Sequence, residues 1–390
     1  MPTDPFTDRV HREIRTAIMT LIRHRGSASR SELATALGLG RTQVESAVEA
    51  LIKARLLTED QGPVGPGRGR PGRRLRRSHP PGGIVGVDLG HHHVLVAVAS
   101  LDLQVRAKRT VLLDVDADPD RVLDTVASLI PELLAEAGPD LGPVEVCVAG
   151  IPGPLDSARR AVASPTILAN WSGLDVAGEL AGRTGLRVAL ENDANLGALA
   201  EHRAGPVGER DDMIYVKAAD GVGAGLYIGG TLVRGNTGAA GEIGHTQVSQ
   251  DGDWCRCGNR GCLETIISVR QVLAQISHLQ PGGGDSLRGR LAEVAGHPVA
   301  RKILAESGRT LGRVLANLCA LLDPKVVIIG GELSQAGEPF LDGVRESIDR
   351  LAQPGYAGRV AVLPAALGLD AEITGSLSLA RELALREIRL

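Results

Sequence analysis

The run GHTQVSQDGDWCRCGNRGCLE constrains this chain more than any other stretch. Cys-x-Cys-Gly-x-x-Gly-Cys brings Cys255, Cys257 and Cys262 together on a glycine-rich loop that can bend sharply, and His245 can complete a tetrahedron. Three thiolates and an imidazole are the soft donor set and coordination number of structural zinc. Free buried thiols or a redox switch are the alternatives, and neither accounts for the glycine spacing. The chain has five Cys, and three crowded between 255 and 262 suit a metal site in a reducing compartment better than a disulfide framework. The opening MPTDPFTDRV holds no apolar run that could serve as a signal, and no segment reaches the roughly 18 uninterrupted apolar residues that span a bilayer. A cytoplasmic protein with no membrane partner is expected.

At 390 residues the chain exceeds one hydrophobic core, so two or three compact domains are expected. Two Phe, three Tyr and two Trp leave Leu, Val, Ile and Ala to supply the buried area, and they argue against stacking platforms for single-stranded nucleic acid. The net charge of −3 combines unlike parts, since residues 1–80 carry +7 and the remainder −10. One end is suited to meet a polyanion.

That basic end reads as three short helices. Ile14, Ala17, Ile18, Leu21 and Ile22 recur at helical spacing up to Gly26, Ser29 or Ser31 can cap a second helix carrying Leu33, Ala34 and Leu37, and Gly38 makes the turn. A third helix after Gly40 turns Val44, Ala47, Val48, Leu51 and Ile52 inward and leaves Arg41, Thr42, Gln43 and Ser46 outward. Two helices joined by a tight glycine turn form a helix-turn-helix whose second member fits a major groove, with a small helical bundle as the alternative. RGRPGRRLRR follows where a winged motif places its wing. Its Arg68, Arg70, Arg73 and Arg74 read either as phosphate and minor-groove contacts or as a solvated linker.

From Gly83 the texture changes to apolar strands broken by glycine turns. Strands are expected at 84–88 and 94–99 around Gly90, at 213–217 and 226–228 around Gly221, Gly223 and Gly225, and at 326–329 before Gly330 and Gly331. Helical stretches at 121–137 and 301–322 alternate with them, which indicates α/β layers in two similar halves. Glu191, Asn192, Asp193, Ala194 and Asn195 sit between an apolar strand and a helix. Carboxylates and amides there suit bidentate bonds to vicinal hydroxyls, and an Asp can act as a base towards one of them, although singly each reads as a cap or surface charge.

Glu-Asn-Asp-Ala-Asn, Gly-Glu-Ile-Gly-His and Cys-x-Cys-Gly-x-x-Gly-Cys-Leu-Glu, in that order, make the chain from about Gly83 onward resemble the ROK (repressor, open reading frame, kinase) family. The helix-turn-helix and the Gly-Arg-Pro segment resemble its regulator branch. The resemblance implies an α/β fold, with an N-terminal winged helix-turn-helix (1–80) followed by a two-lobed actin-like, ribonuclease H-like sugar kinase fold (81–390). It implies sugar contacts from Asn192, Asp193, Glu242, His245 and Glu264. Asp193 stands where the kinases have their catalytic base, and His245 would bond sugar with one nitrogen and zinc with the other.

The phosphate turns depart from the family pattern. Kinases read Asp-x-Gly-Gly-Thr where this chain has Asp88-Leu89-Gly90-His91-His92, and Gly-Thr-Gly where it has Ala219-Asp220-Gly221. A carboxylate held about 4 Å from a phosphate charge costs roughly 4 kcal/mol at an effective dielectric near 20. Pro165-Thr166 replaces a frequent Pro-Asn, leaving Thr166, Asn170 and Trp171 as further candidates. The expectation is a non-catalytic, homo-oligomeric (dimeric or tetrameric) repressor that leaves a double-stranded operator when a sugar or amino sugar binds. The alternative is an ATP-dependent sugar kinase using Asp193.

Overall fold

The computed structural model describes residues 5–54, 56–61, 73–78, 82–156, 158, 160–164, 166–205, 207–208, 211–279, 291, 293, 295–353 and 357–387. Helix α1 (Pro5–Arg25) stops at Gly26, whose φ of +72° only glycine adopts without strain. Helix α2 (Arg30–Leu37) opens on a capping box, in which Ser29 Oγ accepts from Glu32 N while Glu32 Oε2 accepts from Ser29 N at 2.8 Å. Helix α3 (Arg41–Lys53) completes a core of Ile14, Ile18, Ile22, Leu33, Val48 and Leu51. Strands β1 (Leu57–Gln61) and β2 (Arg73–Arg77) pair antiparallel, and Leu75 bridges to Ala28, tying this hairpin to the helices. The connection between them, with Arg68 and Arg70, lies outside the described residues.

The first lobe is a sheet of β3 (Gly83–Gly90), β4 (His93–Ser100), β5 (Val105–Leu112), β6 (Val144–Ile151) and β7 (Arg187–Asn192) in the order β5-β4-β3-β6-β7. The second holds β8 (Met213–Ala218), β9 (Val222–Ile228), β10 (Thr231–Val233), β11 (Val326–Gly330) and β12 (Ala361–Pro364) in the order β10-β9-β8-β11-β12. In each, two antiparallel pairings are followed by two parallel ones, so the halves share one topology. Helices α4 (Pro119–Ala137) and α5 (Val176–Thr184) cover the outer face of the first sheet. Helices α7 (Glu264–Ile267), α8 (Val269–Ile276), α9 (Pro298–Leu322) and α10 (Glu338–Leu351) cover the second.

Helices α6 (Asp193–Ala204) and α11 (Ala371–Glu387) pack against each other between the sheets. Leu196 joins Ile373 and Leu377 on the first sheet, whereas Ala198 joins Met213, Tyr215 and Ala371 on the second. The approach is close enough that a Cβ on Gly375 would stand 2.1 Å from the Leu196 carbonyl oxygen, and one on Gly225 would stand 2.4 Å from that of Ala194. Backbone in contact with backbone makes these helices the joint across which the lobes meet. Strands β5 and β6 are absent from the sequence reading, and β5 leaves Val105, Arg106, Lys108, Arg109, Thr110 and Leu112 exposed while burying only Ala107, as a charged edge strand does. Strand β9 begins at Val222 rather than 226, because its glycines let α6 approach instead of ending the strand.

Candidate functional site

The expected metal ligands converge. His245 ends a 3-10 turn, the cysteines follow on the loop, and the four donor atoms lie within 4.8 Å of one another. His245 Nδ1 is 3.5 Å from Cys255 Sγ, and Cys257 Sγ is 3.6 Å from Cys262 Sγ. Sulfur and nitrogen ligands at about 2.3 and 2.1 Å from one ion stand roughly 3.5–3.8 Å apart at tetrahedral angles, so the residues fit such an ion. The other ring nitrogen, Nε2, faces Glu242 Oε2 at 3.8 Å. The imidazole thus has one nitrogen in the thiol cluster and one towards the cleft.

In the cleft Asn192 caps α6, its Oδ1 accepting from Asn195 N at 3.0 Å while its Nδ2 donates to Gly153 O. Glu264 Oε2 accepts from Val222 N at 3.1 Å, which fixes it against the second turn. Burial first, and then the charges of Asp193 and Glu264, push the Glu242 carboxyl up to about 7. Asn192, Asp193, Glu242, His245 and Glu264 therefore share one region. Asp193 Oδ2 accepts from Lys217 Nζ at 2.8 Å, and its Oδ1 accepts from Ala194 N. Burial disfavours the Lys217 cation, but the charges of Asp193, Glu372 and Asp88 outweigh it and raise its pKa.

The altered turns meet across the cleft. His92 Nε2 stands 2.8 Å from Asp220 Oδ2, and Arg270 Nη2 lies 3.0 Å from that oxygen and 2.7 Å from His92 Nε2. The Asp220 hydrogen bond raises the His92 pKa, and with Nε2 protonated towards Asp220 the Arg270 bond goes to the carboxylate. Against the push of burial, the His92 bond and Arg270 pull Asp220 down to about 2. Beside this clasp His91 Nδ1 lies 2.6 Å from Asp116 Oδ1, and Asp116 Oδ2 accepts from Arg256, which stands between two of the cysteines, at 3.1 Å. His91 and His92 thus bond the side chains that join the lobes.

Of the weaker candidates, Asn170 Nδ2 donates to the carbonyls of Asp116 and Ala117, and buried Trp171 donates to Val115 O, so both brace the loop that carries Asp116. Thr166 Oγ1 pairs with Ser164 Oγ at 3.2 Å.

In the N-terminal module Arg41, Thr42, Gln43 and Ser46 are exposed on α3. Gln43 Oε1 also accepts from Gly40 N at 3.0 Å, which gives it a capping duty. Arg73 is exposed and reaches Glu59. Arg74 is half-buried and spends its donors on Ser27 Oγ, Ser27 O and Glu32, a bracing arrangement rather than a free hand for phosphate.

Sequence reasoning missed Lys217, Arg234, Arg256 and Arg270. Arg234 grips buried Glu191 Oε2 at 2.8 Å. A lysine ending the apolar strand that begins at Met213 was a readable signal for a buried cation, but its partner was not.

A sequence profile described as "ROK family" matches residues 84–383. The xylose repressor of Caldicellulosiruptor bescii is 29% identical over 83% of this chain and 84% of its own. The structure of a ROK family glucokinase from Streptomyces griseus, in complex with glucose and AMPPNP, aligns with a TM-score of 0.67 at 32% identity over 77% of this chain and all of that one. A crystal structure described as a ROK family transcriptional regulator, homolog of the Escherichia coli MLC protein, aligns with a TM-score of 0.78 at 24% identity over 97% of this chain and 99% of that one, a likeness of fold.

Proposed function

The chain belongs to the ROK family, and from that premise we propose that it is a sugar-responsive, DNA-binding transcription regulator acting as a repressor. The observation that carries this reading is the joining of a helix-turn-helix, with Arg41, Thr42, Gln43 and Ser46 exposed on α3, to a ROK body. Likeness to a protein named xylose repressor supports it and makes xylose the first sugar to try.

In this reading residues 1–80 bind double-stranded DNA through Arg41, Thr42, Gln43 and Ser46 on α3 and Arg68, Arg70 and Arg73 on the wing, with Arg74 bracing them. Residues 81–390 bind a sugar or amino sugar through Asn192, Asp193, Glu242, His245 and Glu264. His245, Cys255, Cys257 and Cys262 hold a structural zinc, which fixes the imidazole and the neighbouring carboxylates. The protein acts as a homo-oligomer in the cytoplasm. Among the described residues no helix is long and apolar enough to cross a membrane. Sugar acts only through a difference in affinity between lobe arrangements that do and do not suit the operator, and a coupling of about 1–3 kcal/mol is enough for a switch.

Selection of operator sequences from random duplexes, followed by gel-shift with and without xylose, glucose and N-acetylglucosamine, tests the reading. Specific binding released by one sugar is expected, and a protein that selects no sequence overturns it. Retention of Asp193 and likeness to a glucokinase favour a second reading, an ATP-dependent sugar kinase. The His92–Asp220 clasp and the Asp193–Lys217 pair oppose it.

A further inference from the structure

Beyond Asp193 the cleft continues between the two turns as a cavity of about 460 Å³, bounded by His91, His92, Leu112, Lys217, Asp220 and Glu332 among others. That is room for roughly 15 water molecules at about 30 Å³ each, more than a single pyranose displaces. It adjoins the carboxylates assigned to sugar, because Asp193 lines it and Gly221, also on its wall, lies beside Glu264. We propose, resting on the regulator reading, that this cavity takes the second ring of a neutral disaccharide or other glycoside, linked through the sugar hydroxyl that faces Asp193.

Charge decides against phosphate. Asp193 is balanced by Lys217 and Asp220 by Arg270, which leaves Asp114 and Glu332 as wall carboxylates with no cationic partner among the described residues. A phosphate ester or nucleotide would bring further negative charge against them. A neutral ring brings hydroxyls that donate to carboxylates, and its apolar face matches the side chains of Leu112, Leu113, Pro152 and Val269 on the same wall.

Hydrogen bonding decides for a linkage at Asp193. A free carboxylate there would need a hydroxyl donor and would reject an ether oxygen. Each Asp193 oxygen accepts one bond, from Lys217 and from Ala194 N, which leaves lone pairs for a hydroxyl of the first ring, and the Lys217 ammonium, with one donor spent on Asp193, keeps others for an acceptor in the cavity. A glycosidic oxygen is such an acceptor.

Isothermal titration of the full chain tests this with glucose, xylose and N-acetylglucosamine, the disaccharides built from each in 1→4 and, where the sugar allows, 1→6 linkage, the 6-phosphates of glucose and N-acetylglucosamine, and AMPPNP. One disaccharide should bind at least tenfold more tightly than its parent monosaccharide. Leu112→Trp, at a rim position 63% exposed and so tolerant of size, should lower disaccharide affinity at least tenfold more than monosaccharide affinity. A monosaccharide that binds as tightly as every disaccharide overturns the second-ring site and leaves the regulator reading standing. A phosphorylated sugar or AMPPNP that outbinds the neutral disaccharides overturns it too. Failure of every sugar to bind removes both.

Discussion

Lys217 Nζ reaches Asp193 Oδ2 at 2.8 Å across the base of the cleft, with both side chains largely removed from water. An Asp serving as a general base must be free to take a proton from a hydroxyl, and this one is committed to a cation. Purified protein is therefore expected to show no sugar-dependent ADP release above background with any sugar it binds. Steady turnover that disappears in Asp193→Asn would restore the kinase reading.

The same pair carries a stability consequence. Removing one partner of a buried ion pair leaves the other charge uncompensated, at a typical cost of about 3–5 kcal/mol. Glu372 and Asp88 also act on Lys217, so the lower end, about 3 kcal/mol, is expected for Asp193→Asn in urea denaturation. An unfolding midpoint equal to that of the wild type would show that the pair is not buried in solution.

Metal content gives the third expectation. Protein purified without chelators should hold one zinc per chain, and Cys257→Ser should lose the metal and weaken sugar binding together, since the loop orients His245 beside Glu242. Elemental analysis finding no stoichiometric zinc refutes it, as does full sugar affinity in metal-free protein.

The clasp should respond to pH. Asp220 raises the His92 pKa above its ordinary value near 6.5, while burial and Arg270 oppose the shift and Asp116 supports it. A raised pKa means that the stabilisation is full below about pH 6.5 and fades as pH climbs through the folded-state value. Asp220, held at about 2, keeps its share down to roughly pH 4 and loses it only below that. The melting temperature of wild type minus that of His92→Ala should be largest near pH 5.5 and shrink by about pH 8.5. A difference independent of pH would mean that folding does not shift the His92 pKa, and a difference that grows towards high pH would mean that His92 is held neutral in the folded protein.

For DNA, the exposed end of α3 and the wing should separate in a salt titration. Arg41→Ala should cost about 1–3 kcal/mol on the selected operator and relax preference at one or two base pairs. Arg70→Ala should weaken binding to all duplexes and lower the salt slope by about one unit. Arg74→Ala should instead lower the stability of the module, because its donors go to Ser27 and Glu32. Gln43→Ala is a poorer probe, since it also removes the bond to Gly40 N. Unchanged affinity and slope in both the Arg41 and Arg70 variants would remove the physical support for this module as a DNA reader.

What the sequence determined by itself is what short range determines. Apolar spacing sufficed for α1, α3 and the buried strands β3, β4, β8 and β11, though not for buried β6, and Ser29 and Gly38 marked the ends of α2, because caps and periodicity act within a few residues. The grouping of His245 with three cysteines was legible for the same reason, since Cys255, Cys257 and Cys262 sit on one tight loop. Charged positions were not. Arg74 reads identically in sequence whether it braces Ser27 or lies free for phosphate, and Asp193 reads identically whether it is a base or half of an ion pair. Their roles depend on partners supplied by distant segments, with His92 and Asp220 lying 128 residues apart and Asp116 and Arg256 140 apart. Only the stacking of two like sheets on α6 and α11 brings those groups within reach, since a Coulomb or hydrogen-bond energy depends on separation in space and on exclusion of water, and neither is written in the order of residues.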